Sequence, residues 1–90
     1  MLKIKFSKTF KRSYKKISDD DKAIFITILH KLCNNEPLEK KYKDHALKGK
    51  YANLRECHLK PDLLLIYKIL ENELVLQCIN IGSHSKLNLD

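Results

Sequence analysis

The stretch that most constrains this chain is LLLIYKIL, Leu63 to Leu70. Its unbroken apolar start and its length mark a buried strand. It is too short to cross a bilayer, and the chain has no apolar run of about 18 residues. Lys60-Pro61-Asp62 before it reads as a tight turn, and Glu71-Asn72-Glu73 after it as a short link. Two more strand-like runs flank these links, about Tyr51–Leu59 and Leu74–Ile81. Links this short join antiparallel neighbours. The second half of the chain is therefore expected to be a three-stranded meander with the Leu63 run in its middle.

The first half has a different period. Leu2, Ile4 and Phe6 alternate with Lys3 and Lys5, as in a half-buried strand. Ser7 is placed to cap a helix whose apolar stripe is Phe6, Phe10, Tyr14 and Ile17, read as core packing. Ser18 then caps a second helix. Asp21 stands at the capping-box position, and three aspartates suit the positive end of the helix dipole. Phe25, Ile28, Leu29 and Leu32 form its buried stripe, and Asn34-Asn35 with Pro37 end it. His30, late on this helix, reads as a surface residue. Residues 36–50 form a polar, lysine-rich connection, long enough in so small a chain to suggest a functional loop. The order β-α-α-β-β-β predicts an α+β fold, a single domain over residues 1–90 with two helices packed on an antiparallel sheet.

Charge and cysteine usage narrow the partners. The formal charge is +7, concentrated in two segments. Residues 1–16 hold seven Lys/Arg and no acid, and residues 39–60 hold seven against Glu39, Asp44 and Glu56. Two basic segments brought to one face would make a footprint for nucleic acid or an acidic protein. Cys33, Cys57 and Cys78 cannot all pair within the chain, lack zinc-finger spacing and sit in apolar patterns, so they read as reduced core residues. The N-terminus shows no signal-peptide pattern, so a cytoplasmic protein without membrane association is expected.

Three of the four histidines lie from residue 45 onward, beside irregular backbone. His45 is in the long loop, His58 is near a strand end with Asp62 opening the next strand, and His84 follows Gly82 after the last strand. Histidine titrates near neutral pH, so two with unequal environments can serve as base and acid in one reaction. Arg55 and neighbouring lysines can hold a phosphate and offset its developing charge. This set suits RNA cleavage without metal or other cofactor. A base takes the 2′-hydroxyl proton, the oxygen attacks the adjacent phosphorus, and an acid protonates the leaving 5′-oxygen. The products would carry a 2′,3′-cyclic phosphate (or the 3′-phosphate from its hydrolysis) and a 5′-hydroxyl, and DNA would survive. The competing readings are a structural His58–Asp62 pair, a non-catalytic module that binds RNA, ribosome or an acidic partner, and a metallo-hydrolase. The last is disfavoured because no HxH or HxxxH spacing occurs.

The segments YKDHALKGKYANLRECHLKPDLLLIYK and IGSHSKL carry Asp44-His45, Leu47-Lys48-Gly49, Arg55, His58, Pro61-Asp62, Tyr67 and Gly82-Ser83-His84 in one order. In this they resemble the YafQ branch of the RelE-like toxins of bacterial toxin–antitoxin systems. The likeness is close over residues 36–87, and the N-terminal strand and helices match in order and length. It implies a RelE-like fold and endoribonucleolytic cleavage of mRNA, typically on the translating ribosome. It also implies a cognate antitoxin that neutralises the toxin and reaches operator DNA on behalf of both. The catalytic positions it implies are His45, His58, Asp62 and His84. Of these, His84 is the preferred general acid, and His45 or the His58/Asp62 pair the base. Lys48, Lys50 and Arg55 become candidates for phosphate and RNA contacts, with no metal ligands. Asn80, Leu63 and Asn88 depart from the basic and aromatic residues found at these places in relatives, which bears on transition-state charge and on base stacking.

Overall fold

The computed structural model describes residues 1–87. In chain order the elements are β1 (Lys3–Phe6), α1 (Lys8–Tyr14), α2 (Asp19–Cys33), β2 (His45–Ala46), β3 (Arg55–Lys60), β4 (Leu63–Leu70), β5 (Val75–Gly82) and α3 (His84–Leu87). Short 3-10 turns lie at Lys40–Tyr42, Gly49–Tyr51 and Glu71–Glu73. The strands form one five-stranded sheet in the order β1-β5-β4-β3-β2. Asn88 lies outside the described residues.

The meander is as its turns require: β3 and β5 both run antiparallel to β4. The expectation of a wholly antiparallel sheet is corrected by β1, which pairs parallel to β5 with Lys3 opposite Val75 and Phe6 opposite Cys78. Turn chemistry dictates direction only across a short link. The two helices between β1 and the rest of the sheet leave either direction open. The run expected to begin at Tyr51 is also corrected, because β3 starts at Arg55. Gly49 at φ 66 turns the chain, and the Leu47 N–H donates to the Leu54 carbonyl at 2.9 Å, closing the loop between β2 and β3. His45 thus sits on a two-residue strand rather than in a loop.

Both caps form where the sequence places them. Ser7 Oγ accepts from the Phe10 N–H at 2.9 Å and donates to the Ile79 carbonyl at 2.6 Å, which ties α1 to β5. Ser18 Oγ accepts from the Asp21 N–H at 3.1 Å. The Asp21 carboxylate lies 2.7 Å from Lys60 Nζ, clamping the start of α2 to the β3–β4 turn. Asn35 ends α2 at φ 57, with Glu36 N–H on Lys31 O and Asn35 N–H on Leu32 O. This is the double bond of a Schellman stop.

Phe25, Ile28, Leu29 and Leu32 of α2 are all buried, against Leu63, Leu65 and Tyr67 of β4 and Leu76, Cys78 and Ile81 of β5. Phe10 stacks on Phe6 and Tyr14 and meets Phe25, with ring centroids 5.1, 5.5 and 5.3 Å away. Phe6, read as part of the core stripe, stays 40% exposed, because β1 is an edge strand. Its neighbours in this respect are Ile4 at 38% and Ile26 at 43%.

All three cysteines are buried and free. Burial pushes the Cys57 and Cys78 thiols up from 9.0 to about 12. The unfolded thiols ionise near pH 9 and the folded ones only near 12, so their contribution to stability falls as pH rises between those values. Only the thiolate is a good nucleophile. Iodoacetamide at about pH 8 is therefore expected to leave Cys57 and Cys78 unmodified in the folded protein and to alkylate both in urea, as counted by mass spectrometry.

Candidate active site

Strand register gathers three histidines from distant parts of the chain. His58 on β3 lies across from Leu64 on β4, and Leu64 lies across from Gly82 on β5. Gly82 leads into α3, which opens with His84, and the rings of His58 and His84 are 6.0 Å apart. His45 on β2 pairs with Glu56 on β3. Side chains alternate along a strand, so Glu56 and His58 share a face. The His45 and His58 rings are 6.4 Å apart. His58 is thus the centre of the cluster, with His45 and His84 as its neighbours.

Two of the rings are oriented by polar contacts. His58 Nε2 lies 3.2 Å from Oε1 of the buried Glu56 carboxylate, within ion-pair distance. His45 Nδ1–H donates to the Lys43 carbonyl at 2.5 Å, which leaves Nε2 as the free lone pair. Lys43 itself is in the left-handed region at φ 48, a conformation that costs an L-residue about 1–2 kcal/mol and that aims its carbonyl at His45. Asp62 Oδ1 accepts from the backbone N–H of His84 at 3.3 Å.

The His58–Asp62 pair expected from the sequence is therefore replaced. Glu56, two residues before His58 on the same strand face, takes the imidazole, while Asp62, across the turn, holds the first residue of α3. Glu56 is the residue that reading the sequence missed. It is only 5% exposed, the one buried charged residue among those described. Strand parity was the available signal, since an acid at i−2 of a strand histidine must lie beside it.

Arg55 is not brought to the histidines. Its register partner is Tyr67, on the face opposite His58. Arg55 Nε donates to the Tyr67 hydroxyl at 3.2 Å, and that hydroxyl donates to Asp44 Oδ1 at 2.5 Å. Arg55 Nε is also 3.4 Å from Asp44 Oδ1. The Tyr67 hydrogen bond and the Asp44 charge raise the guanidinium pKa above its ordinary value, against the cost of burial. Burial, and then the bond to Asp44, push the Tyr67 phenol up. This clasp fixes Asp44 to the sheet, and with it the next residue, His45. Tyr67→Phe removes both bonds of the hydroxyl and is expected to cost about 1–3 kcal/mol in a denaturant melt.

Lys48 and Lys50 are exposed on the loop between β2 and β3, and Lys50 Nζ lies 5.2 Å from the Tyr51 ring centroid. Asn80 faces α1, accepting from Ser13 Oγ at 2.7 Å and from its neighbour Ile81 N–H at 2.9 Å. Leu63 is a core residue at 4% exposure. Among the described residues no three His, Cys, Asp or Glu side chains converge closely enough to hold a metal ion. The arrangement can do proton transfer: one imidazole with a fixed free nitrogen, a second beside a buried carboxylate, and a third at the exposed start of α3.

Comparison with known proteins follows the same lines. A family described as the bacterial toxin of type II toxin–antitoxin systems, YafQ, matches residues 2–89. The mRNA interferase toxin YafQ of Escherichia coli K12 is 36% identical, the match covering 91% of this chain and 86% of that one. A metal-bound toxin from Helicobacter pylori superposes with a TM-score of 0.86 at 41% identity, covering 97% of this chain and 99% of that one. The E. coli DinJ–YafQ complex contains a chain that superposes with a TM-score of 0.81 at 29% identity, covering 97% and 98%.

Proposed function

The chain belongs to the YafQ family of bacterial type II toxins, and from that membership we propose that it is an mRNA endoribonuclease whose reaction is carried by imidazoles rather than by a metal. The observation that carries this reading is the cluster of His45, His58 and His84. His84, exposed at the head of α3, is the general acid for the leaving 5′-oxygen. The base for the 2′-hydroxyl is His45 through Nε2, its Nδ1 being bonded to the Lys43 carbonyl, or His58 beside the buried Glu56 carboxylate. Asp62 positions His84, and Glu56 positions His58. Lys48 and Lys50 contribute to a basic surface for the RNA backbone, while Arg55 acts through the Asp44 clasp. The base and acid roles need no cofactor.

The natural substrate is mRNA, placed by the ribosome, and the neutralising partner is a cognate antitoxin, as DinJ accompanies YafQ in E. coli. Operator DNA is reached only through that antitoxin. Phe6 and Ile26, exposed beside Lys11 and Lys15, offer an acidic protein partner apolar contact flanked by positive charge. No described helix is long and apolar enough to cross a membrane. Buried free thiols accord with a single domain working in the reducing cytoplasm.

Asn80 favours a second reading, a module that binds RNA or ribosome without cutting. Its amide is held by Ser13, so this position supplies no positive charge to a transition state. The test is to incubate the protein with an mRNA under translation and with the same RNA free in EDTA, and to map the cut ends. Cuts bearing 5′-hydroxyls support the nuclease. Intact RNA in every lane, with salt-dependent binding, establishes the module.

A further inference from the structure

The sheet leaves one working edge open beside the histidines. β2 covers only Arg55 and Glu56 of β3, so from Cys57 to Pro61 that edge has no strand beside it. The 3-10 turn Lys40–Tyr42 runs along it instead and leaves a cleft of about 580 Å³. Ile24 of α2 closes one side, Tyr42 and Lys43 the other, and His58 and Pro61 belong to the same wall as β3. A cleft of this size suits a nucleotide.

Its chemistry is that of a nucleotide site. Single-stranded RNA is held by stacking its bases on aromatic rings and pairing its phosphates with cations. The chain has three Phe and four Tyr. Phe6, Phe10, Tyr14 and Phe25 are packed on one another on the α1 side. Tyr67 is buried in the Asp44 clasp. Tyr42 and Tyr51 remain, and Tyr42, half-buried with part of its ring packed on the core, lines this cleft together with His58. Of the three lysines at this cleft, Lys60 is occupied by Asp21 at 2.7 Å. Lys41 rests its ammonium 5.2 Å from the Tyr42 ring centroid, a weak exposed contact that a phosphate can displace. The outer wall is also bonded to the second histidine, since the Lys43 carbonyl accepts from His45 Nδ1.

We propose that this cleft is the subsite for the ribonucleotide adjoining the scissile phosphate, with its base against Tyr42 and its phosphate between Lys41 and Lys43. This deepens, and rests on, the nuclease reading. A nucleotide seated here is in register with both His58, in the cleft wall, and His45, on the Lys43 carbonyl. Stacking on Tyr42 tolerates any base, so the site aligns the chain more than it reads it.

The test uses a 2′-O-methyl adenylyl dinucleotide, which lacks the attacking hydroxyl and cannot be cut, titrated by NMR. Binding should move the resonances of Tyr42, Lys43 and Pro61. Tyr42→Leu, which keeps apolar packing, should weaken binding roughly 5- to 150-fold, and Tyr42→Phe should retain it. Shifts that bypass Tyr42 and Pro61, or a Tyr42→Leu protein that binds like the parent, overturn the proposal. Should Tyr42→Leu fail to fold, the exposed double variant Lys41→Ala/Lys43→Ala decides. Weaker binding with a flatter salt dependence supports the subsite, and unchanged affinity and slope refute it. Because the probe is inert, the result stands apart from the cleavage assay. Cleavage with no role for Tyr42 removes the subsite alone. Binding at Tyr42 without any cleavage removes the nuclease and leaves an RNA-binding cleft.

Discussion

His84→Ala is expected to lower the rate of RNA cleavage by about 100- to 10,000-fold, the usual contribution of a positioned general acid. The protein should remain folded. His84 is exposed, and the bond that places it is made by its backbone N–H to Asp62, which alanine keeps. Its melting temperature should therefore stay within a few degrees of the parent, as for most surface changes. The comparison needs both numbers, single-turnover cleavage at saturating protein and a thermal melt. A slow, fully folded variant assigns the acid to His84. An undiminished rate moves that role to another residue. A large fall in melting temperature makes the residue structural, and the loss of rate then says nothing about proton transfer.

Phe25→Ala should do the reverse, lowering stability sharply while leaving the chemistry of the folded protein intact. Phe25 is 1% exposed and lies between the helix layer and the sheet. It holds Phe10 at 5.3 Å and Tyr14 at 5.5 Å between ring centroids. Truncating it takes away its own burial and leaves a cavity under α1, at a cost of about 3–5 kcal/mol. A domain of this size has only about 5–15 kcal/mol in total. The melting temperature is expected to drop roughly 12–40 °C, read by circular dichroism. Activity measured well below the new midpoint should be close to the parent's, because no candidate catalytic group touches Phe25. A small drop would mean that neighbouring side chains collapse into the space.

These two sites illustrate where the sequence was informative. Ser7, Ser18, Asn35 and the Phe25 stripe announce their roles by local rules, because a cap or an apolar stripe acts within a few residues of itself. Leu63–Leu70 was a strand for the same reason, and its short links fixed β3 and β5 antiparallel to it. His45, His58, Asp62 and His84 could be named because strand ends and loops are where reactive side chains are free to meet. Their resemblance to a known motif added the reaction that such a set performs. Two errors had a common source. The parallel β1–β5 pair and the late start of β3 at Arg55 depend on how a long connection closes, and no local preference reports on that.

Partnerships were the part that only tertiary structure decided. Arg55 looked like a phosphate ligand, and pairing with Tyr67 turns it to the other face of the sheet. His58 looked like the partner of Asp62, and strand alternation hands it to Glu56. Tyr42 was one residue in a polar loop until the open edge of β3 placed it in a cleft with His58. The sequence by itself determined the elements, the core stripes and the kinds of groups available for chemistry, since these follow from the periodicity and character of neighbouring residues. Which acid lies beside which histidine, and which tyrosine shares a cleft with His58, follow from register across β2, β3, β4 and β5. Register is a long-range property, set when residues some forty positions apart are brought into one sheet.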